Sequence, residues 1–352
     1  MCTAGSEVVL IINALSFLLS TAFVVQALME SKSFAKCGEP RGGLASVVLP
    51  VKGLDPRLEE TIRSLLAQDY ADKEVIVVLD SSDDPAYPVV TKFPVKVVMN
   101  EWPCAKCSGK VSAILTALKY AKGDYLVFAD SDTVYPQGWL RCMLSLVKDK
   151  AVPTTFSWPS PERVTLRNLV RSGFWTLGYE SVFSRKHRFL WGGSMAFRRE
   201  FFDEEAVGAL SEAWCDDCTL TYLVKKRGYE IEFCPVVSKN YFDEANLIKF
   251  LKRQIITVKL YSPRGFEAFL LTWAFTLALL LFVPLSPLAV APTVAWVFKN
   301  FLRAKRADGP YLPAIVSPVS ATVTFFLALL SVREKEIVWR GSRIRIVQGE
   351  ES

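Results

Sequence analysis

The chain has 352 residues and a formal net charge of +6, and 51% of its residues are hydrophobic. Its mean hydropathy of +0.24 is high for a soluble protein, so membrane-spanning segments are the first feature to seek. The positive charge forms no basic stripe interleaved with aromatic side chains. This pattern argues against nucleic-acid binding and favours an anionic membrane surface or a phosphate-bearing ligand.

The first predicted element is an uncharged apolar stretch over residues 8–28. As a helix it would span about 30 Å, which is the thickness of a hydrocarbon core. We therefore predict an N-terminal transmembrane helix over 1–30. A cleaved signal peptide is the alternative, but the run is long and no basic segment precedes it. Basic residues follow it, whereas Glu7 is the only charged side chain before it, so the positive-inside rule predicts a cytosolic domain next.

Residues 44–265 alternate between predicted strands and predicted helices. The segments LASVVLPV, KEVIVVLD, VKVVMN and DYLVFADSD read as buried strands, and LEETIRSLLAQ and SAILTALKYA have helical spacing. Short βαβ units with nearly continuous apolar strands predict a doubly wound α/β fold with a mostly parallel sheet. The Pro- and Ser-rich segment at 153–164 divides this domain into a nucleotide half over 44–152 and an acceptor half over 153–265.

Two further apolar stretches, 266–298 and 311–332, define a predicted membrane region over 266–332. A basic tail over 333–352 follows it. One span in each stretch gives three transmembrane helices in all, which is the arrangement we predict. Three prolines in the first stretch leave a hairpin as the alternative, and a hairpin would exchange the sides on which the basic segments lie.

Acidic residues stand where two of the predicted strands end. Asp80 closes KEVIVVLD, and Asp130 and Asp132 close DYLVFADSD. Ligands of such sheets bind at the carboxyl ends of the strands. Two carboxylates separated by one residue suit Mn²⁺ or Mg²⁺ whose other ligands are phosphate oxygens. We predict that Asp132 is the direct metal ligand and that Asp130 contacts the sugar, the ribose or a metal-bound water; a plain turn or helix cap is the structural alternative.

Several short motifs follow one another in a specific order along the chain. They are Pro50-Val51-Lys52-Gly53, the stretch 80–85, Lys110 at a helix start, Asp130-Ser131-Asp132, GGSMAFRRE at 192–200, Asp216-Asp217 and VWRGSRIRI at 338–346. Together they resemble the family 2 glycosyltransferases of the A-type nucleotide-sugar fold, and most closely the ceramide glucosyltransferase branch. The likeness covers most of residues 44–265 and the tail.

The resemblance implies a membrane-bound, inverting glycosyltransferase that moves a hexose from a nucleotide sugar, with UDP-glucose as the expected donor, to a membrane lipid hydroxyl. It implies that Asp217 is the general base and that Asp216 raises its pKa by like-charge repulsion. Asp80 and Asp84 would hold the base and ribose of the nucleotide. Lys110, at a helix N-terminus, would face the diphosphate. The structural alternatives are favourable acids in a first helical turn, a turn cap and a solvated lysine.

The motif that begins at Gly192 resembles the acceptor-side loop of this family. The resemblance implies that Gly192 and Gly193 line the acceptor side of the cleft. Trp191 beside them is predicted to stack on a sugar ring. A plain turn and a core tryptophan are the alternatives.

One segment departs from the pattern of the membrane enzymes in this group. They carry a Gln/Arg-x-x-Arg-Trp motif, whereas here Arg253 occupies the first place and Ile256 and Thr257 the last two. We predict that Arg253 contacts the donor, with Lys259 as a second replacement cation. A polysaccharide synthase is one alternative to a lipid glycosyltransferase, but it should have an intact motif and more membrane spans. A non-catalytic membrane scaffold that binds sugar nucleotides is the other alternative, and the departure permits it.

Eight cysteines include two C-x-x-C pairs, Cys104/Cys107 and Cys215/Cys218, and the second pair brackets the adjacent acids. The pairs lie 108 residues apart (215 minus 107), whereas zinc ribbons keep them within about 20. His187 is the single histidine, which makes a mixed Cys/His metal site improbable. Reduced thiols, disulfides within the pairs and a four-cysteine metal site all remain open.

Overall fold

The structure is a computed structural model that describes residues 2–182, 184–331, 336–339 and 342–345, with side chains for 5–182 and 184–331. Its helices are α1 (Cys2–Ser33), α2 (Leu58–Leu66), α3 (Tyr87–Val90), α4 (Gly109–Tyr120), α5 (Trp139–Leu146), α6 (Leu166–Trp175), α7 (Glu204–Ser211), α8 (Asp216–Lys226), α9 (Leu247–Tyr261), α10 (Pro263–Leu280), α11 (Ala291–Arg306) and α12 (Leu312–Ser331). Its strands are β1 (Ala45–Val51), β2 (Lys73–Leu79), β3 (Lys96–Met99), β4 (Tyr125–Ala129), β5 (Thr133–Val134), β6 (Ala151–Thr154), β7 (Ser157–Pro161), β8 (Ser194–Arg198), β9 (Glu230–Phe233), β10 (Ser238–Phe242), β11 (Glu336–Trp339) and β12 (Ser342–Arg345).

The chain divides into two compact units. The sheet unit comprises Ser33–Ser160 and Ser184–Phe242, and the helical unit comprises Met1–Lys32, Pro161–Phe183 and Asp243–Ser352. The division differs from the predicted domain over 44–265, because α6 and α9 belong to the helical unit. Both helices pack against α12 of that unit.

The sheet unit is built on seven strands in the order β3-β2-β1-β4-β8-β6-β9. Neighbouring strands are parallel except at β8, which runs antiparallel to both β4 and β6. A smaller sheet has the order β5-β10-β7. This architecture confirms the predicted doubly wound, mostly parallel α/β fold.

Both faces of the large sheet are covered by helices, which explains why its central strands β1 and β4 are almost entirely apolar. On one face, Val47 of β1 belongs to a core with Ile62 of α2 and Trp139 of α5. On the other face, Val48 belongs to a core with Ile114 of α4. Successive strand residues point to opposite faces, so a strand with two buried faces has no polar alternation.

The helical unit packs around α12, which contacts α6, α9, α10 and α11. Gly173 permits the close approach of α6, since a Cβ at this position would lie 2.6 Å from the Ser320 Cβ of α12. The N-terminal helix joins the same unit through Phe23, whose ring packs edge-on at 5.1 Å from the Trp296 ring of α11. Trp273 of α10 completes this aromatic cluster.

Two helices of the described residues are long and apolar enough to cross a membrane, Gly5–Ser33 and Leu312–Ser331. They correspond to the first and last of the three predicted spans. The stretch 266–298 does not form one helix; it divides into the end of α10 and the start of α11 around a proline-containing turn. Since length and composition are the whole basis for the two candidates, the number of spans and their orientation stay predictions.

A buried ionic cluster lies inside the helical unit. Arg303, with 1% of its side chain exposed, pairs with Glu30 at 2.6 Å and with Glu180 at 2.7 Å. Lys299, equally buried, pairs with Glu180 at 2.8 Å, and Arg306 pairs with Glu30 at 3.1 Å. These basic residues, which follow the apolar stretch 266–298, are therefore paired inside the helical unit. Their partners are acids of α1 and of the segment after α6.

The C-terminal strands β11 and β12 form an antiparallel pair. Both lie in the predicted basic tail over 333–352, and β12 and the last two residues of β11 belong to the segment VWRGSRIRI. The other residues of that tail, and all of its side chains, lie outside the part of the chain that the structure describes.

Candidate active site

The predicted acids lie at one edge of the large sheet. Asp80 directly follows β2, and Asp130 and Asp132 follow β4. Both strands are parallel to β1 and flank it on either side. Their carboxyl ends therefore meet at the same edge, where ligands of doubly wound sheets bind.

Lys110 links two of these acidic segments. Its helix, α4, begins after Ser108, whose hydroxyl accepts the N–H of Val111 at 3.3 Å as an N-cap. The Lys110 ammonium, with 20% of the side chain exposed, lies 2.8 Å from Asp130 Oδ1 and 3.0 Å from Asp216 Oδ2. Burial lowers its pKa, but the attraction of the nearby carboxylates outweighs burial and raises the pKa above the usual value. The side chain is thus a permanent cation that balances two acids.

Asp217 is an acid whose pKa the site raises towards neutral pH. It lies in the first turn of α8, and its Oδ2 accepts the backbone N–H of Gly192 at 3.0 Å. Burial, followed by repulsion from Asp216, raises the pKa of Asp217 to about 7, against the attraction of Lys110 and the hydrogen bond from Gly192. A carboxylate with such a pKa can accept a proton near neutral pH and hold it, as a general base must.

The Gly192-Gly193 turn lies directly against the charged cluster. A Cβ at Gly192 would lie 2.9 Å from both Asp216 Oδ2 and Lys110 Nζ, and a Cβ at Gly193 would lie 2.8 Å from Asp130 Cγ. These distances are shorter than real Cβ contacts. A side chain at either position would therefore have to displace the neighbouring charged groups. The turn is therefore part of the acidic cluster.

Trp191, next to this turn, has a contact in the core. Its ring packs edge-on at 5.0 Å from the ring of the buried Phe156, and its backbone N–H donates to Thr154 Oγ1 at 2.8 Å. The side chain remains partly exposed. Its predicted stacking on a sugar ring stays a prediction.

The predicted nucleotide-side acids have different surroundings. Asp84 accepts the backbone N–H of Gly53 at 2.9 Å and that of Ala86 at 2.9 Å, so its carboxylate organises a turn. Gly53 needs glycine because its φ is +76°. Asp80 pairs with Lys52 at 2.7 Å and is exposed. The contacts of Asp80 and Asp84 with base and ribose remain predictions.

Tyr135 is a site residue that the sequence interpretation missed. Its hydroxyl accepts the backbone N–H of Asp130 at 2.7 Å and donates to the carbonyl of Gly193 at 2.7 Å. Burial, reinforced by the Asp130 charge, raises the pKa of Tyr135 well above its usual range, so the hydroxyl keeps its proton. The available signal was an aromatic side chain with a polar tip five residues after Asp130.

The donor set at the end of β4 fits a divalent cation. Asp132 is partly exposed, and its Oδ1 accepts the hydroxyl of Thr133 at 3.2 Å. Asp130 Oδ1 faces the Lys110 ammonium, and this carboxylate is also partly exposed. Carboxylate oxygens are the hard ligands that Mg²⁺ and Mn²⁺ prefer. The residues present are therefore suitable for the predicted metal.

The segment that departs from the Arg-Trp motif lies on α9 of the helical unit. Ile256 is buried there, and the Thr257 hydroxyl donates to the Arg253 carbonyl at 2.9 Å. The Arg253 guanidinium lies 5.7 Å from the ring centre of Phe250. Packing thus explains Ile256, whereas the donor contact of Arg253 stays a prediction.

Both C-x-x-C pairs form disulfides. The bonded pairs are Cys104–Cys107, Cys215–Cys218 and Cys37–Cys142. Among the cysteines whose side chains the structure describes, Cys234 alone is unpaired; it is buried, and its sulfur lies 3.3 Å from Cys142 Sγ. Of the states left open by the sequence, the structure has disulfides in both pairs.

The sheet order and the acids at its carboxyl edge define an A-type nucleotide-sugar transferase fold. A solved relative in fold is a mannosyltransferase from Pyrobaculum calidifontis, described in complex with GDP-Man and Mn²⁺. It has a TM-score of 0.54 and 19% sequence identity, and the match covers 92% of this chain and 100% of that one. The similarity confirms the predicted fold class.

The chain belongs to glycosyl transferase family 21, whose model matches residues 8–352. It is 32% identical over 107 residues to a UDP-Glc:alpha-D-GlcNAc-diphosphoundecaprenol beta-1,3-glucosyltransferase of Escherichia coli, over 30% of this chain and 41% of that one. It is 30% identical over 115 residues to a ceramide glucosyltransferase of Gibberella zeae, over 28% of this chain and 22% of that one. The chain spans less than half the length of these relatives. The family confirms the predicted class, a glycosyltransferase.

Proposed function

We propose that this glycosyltransferase moves a hexose, with UDP-glucose as the expected donor, to the hydroxyl of a membrane lipid. The observation that carries the proposal is the position of Asp217, a half-buried acid that receives the Gly192 N–H beside the Lys110–Asp216 ion pair. The Escherichia coli and Gibberella zeae relatives, a glucosyltransferase that acts on a diphosphoundecaprenol-linked sugar and a ceramide glucosyltransferase, support glucose as the sugar and a lipid-linked acceptor.

In this proposal, Asp217 is the general base. Its carboxylate removes the proton of the acceptor hydroxyl while that oxygen attacks the anomeric carbon and the bond to the diphosphate breaks. Attack from the face opposite the leaving group inverts the anomeric centre. The Gly192 N–H holds Oδ2 and so orients the carboxylate. A positioned base contributes roughly 10²–10⁴ in rate.

The other charges of the site adjust the base and receive the leaving group. Asp216 raises the proton affinity of Asp217 by repulsion, and Lys110 limits that effect. When ionised, Asp130, Asp216 and Asp217 exceed the single Lys110 charge, which favours a cation at this edge. A Mn²⁺ or Mg²⁺ held by Asp132 and Asp130 would supply positive charge for the departing diphosphate.

Exposed apolar side chains of the helical unit support a membrane position. On α1, Leu10, Phe17 and Leu18 are exposed, and on α12 Ile315 and Leu330 are exposed. Contiguous apolar surface of this kind marks contact with lipid or with another protein. A lipid acceptor then keeps its tail in the bilayer. We propose that the sheet unit is cytosolic, as the basic residues after α1 suggest.

Turnover by the full chain in lipid nanodiscs tests the proposal. The assay uses radiolabelled UDP-glucose, Mn²⁺ or Mg²⁺ and an extract of membrane lipids. Wild type should move label into the lipid phase only with metal, and Asp132→Asn and Asp217→Asn should not. Asp149→Asn, which changes an exposed acid, is the matched control and should behave as wild type.

Nucleotide binding by the same variants separates a catalytic defect from a binding defect. Asp217→Asn should bind UDP-glucose as wild type does, since the base acts on the acceptor. If wild type transfers no sugar from UDP-glucose or from a panel of other donors, despite metal-dependent nucleotide binding, the proposal is wrong. That result would favour a non-catalytic scaffold that binds sugar nucleotides.

A further inference from the structure

The Cys215–Cys218 disulfide encloses the two acids of the proposed catalytic centre in a small ring. Asp216 and Asp217 are the residues between the bonded cysteines. Cys215 Sγ lies 3.0 Å from Asp217 Oδ1, and Cys218 Sγ lies 3.6 Å from the same atom. A disulfide sulfur carries no proton, so neither sulfur donates a hydrogen bond to this oxygen.

The two oxygens of Asp217 therefore differ in their surroundings. Oδ2 receives the Gly192 N–H, whereas the disulfide gives Oδ1 two sulfur neighbours without a donor. The charged groups that act on this carboxylate are Asp216 of α8, Lys110 of α4 and Asp130 after β4. Reduction would leave those groups in place and change only the sulfurs.

We propose that Cys215–Cys218 is a reversible modification site, opened by a dithiol reductant and closed by oxidation, that sets the proton-accepting strength of Asp217. The inference rests on the proposed role of Asp217 as the base. Disulfides of cytosolic proteins are commonly catalytic or redox-sensing, which agrees with a disulfide beside a catalytic group in the proposed compartment.

The exchange balances through a mixed disulfide. A thiolate of the reductant attacks Cys218 Sγ, which is more accessible than the buried Cys215, and Cys215 leaves as a thiolate. The second thiol of the reductant then displaces Cys218. Two electrons and two protons pass from the dithiol to the protein, which gains two thiols, and the reductant becomes a disulfide.

Each new thiol can donate an S–H hydrogen bond to Asp217 Oδ1. Hydrogen bonds to the charged form stabilise a carboxylate and lower its pKa. Burial and the repulsion of Asp216 hold that pKa at about 7 in the disulfide form. The reduced protein should therefore have a weaker base, with a lower plateau rate and with activity that persists to lower pH.

A second disulfide loop adjoins this one. Cys104–Cys107 precedes Ser108, the N-cap of the helix that carries Lys110. The Ser108 N–H donates to the carbonyl of Ala213 at 3.1 Å, two residues before Cys215. A test of the proposed switch must therefore distinguish the two loops.

The test compares glycosyl transfer against pH for the disulfide form and for protein reduced with dithiothreitol. Thiol alkylation and mass spectrometry of the peptides establish which pairs are open. We expect the reduced protein to show a several-fold lower plateau of kcat/KM and an acidic limb at lower pH. The same profile in both verified states would contradict the inference.

Paired substitutions assign the effect to the sulfurs of this loop. Cys215→Ser with Cys218→Ser keeps two donors and should resemble the reduced protein at every redox state. Cys215→Ala with Cys218→Ala removes ring and donors and should keep the acidic limb of the disulfide form. If the serine and alanine variants have the same limb, donation to Asp217 is not the cause and the inference is wrong.

Two further double variants test whether the redox response belongs to Cys215–Cys218 and not to another disulfide. Cys37→Ala with Cys142→Ala removes the disulfide that lies outside both C-x-x-C loops and should retain the full redox response. Cys104→Ala with Cys107→Ala should retain it as well; a response lost with this pair would contradict the assignment to Cys215–Cys218. Transfer that ignores redox state contradicts this inference alone, whereas no transfer in either state, with nucleotide bound, contradicts the proposed function too.

Discussion

Lys110 and Asp130 form an ion pair, with 2.8 Å between Nζ and Oδ1, that joins the start of α4 to the end of β4. The same ammonium reaches Asp216 of α8. One cation thus connects three elements of the sheet unit at the edge where the acids meet. These charged groups also act on the pKa of Asp217, so its protonation should depend on them.

Glycosyl transfer should depend on the ionisation of Asp217. A general base must be deprotonated to act, and its pKa is raised to about 7. We expect kcat/KM to fall as the pH drops through about 7 and to level off above it. A kcat/KM profile measured from pH 5 to 9 with nanodisc-embedded protein checks this, and a plateau that continues unchanged down to pH 5 would contradict it.

Removal of the Lys110 charge should move that profile to higher pH. The ammonium attracts the Asp217 carboxylate and so lowers the pKa of Asp217. Lys110→Met removes this attraction and should raise that pKa. We expect the acidic limb of the variant to lie above that of wild type, with a lower maximum rate. Lys122→Met, which changes an exposed lysine, is the matched control and should leave the limb unshifted.

Ionisation of Asp217 should lower the stability of the protein, whereas it raises the activity. Asp217 has a pKa of about 7 when folded and near the ordinary aspartate value of 3.8 when unfolded. Between these values the folded state binds more protons, so stability decreases as the pH rises through this window. Asp217→Asn should therefore raise the thermal midpoint at pH 8, and the gain should shrink towards pH 5. An equal midpoint difference at both pH values would contradict the raised pKa.

Gly192→Ala should abolish transfer with little loss of folding. The new Cβ would press on Asp216 and Lys110 at 2.9 Å and displace the charged groups around Asp217. Gly208→Ala is the control, because the exposed Gly208 of α7 has open space at its Cβ and alanine favours a helix by roughly 0.5–1 kcal/mol. Thermal midpoints and transfer rates of both variants test this. Full activity in Gly192→Ala would show that the close approach is not required.

Glu30→Ala should destabilise the helical unit strongly. The substitution leaves Arg303, with 1% exposure, paired with Glu180 alone. Since a buried charge without any partner costs about 3–5 kcal/mol, we expect a loss of stability up to that size. Glu7→Ala, an exposed acid on the same helix, should change little. Thermal unfolding in nanodiscs measures both. Similar midpoints for the two variants would mean that the buried ionic cluster contributes little to stability.

Local patterns in the sequence predicted much of the sheet unit. The apolar runs that end at Asp80 and at Asp130 read as strands because a strand buried on both faces has no polar alternation. The acids at those ends could be placed on one edge because parallel strands share a direction. The helix that begins near Lys110 and the paired acids of α8 were also visible in the sequence, as was the family resemblance that the comparisons confirm.

Contacts between distant segments could not be read in the same way. Asp84 organises a turn with Gly53, and Tyr135 connects Asp130 to Gly193. The periodicity of the sequence indicates neither contact. The burial of Lys299 depends on Glu180, more than a hundred residues away.

Short segments of the sequence specify strands β1 to β4, helices α2 and α4, and the residue types of most of the candidate site, because these follow from periodicity and from local motifs. The ion pairs of Lys110 with Asp130 and Asp216, and the hydrogen bond from Gly192 to Asp217, depend on tertiary packing. Burial and the distances between charges arise only when separate elements pack on one sheet. The pKa of Asp217, and the sulfur atoms that face it, exist only in that packed arrangement.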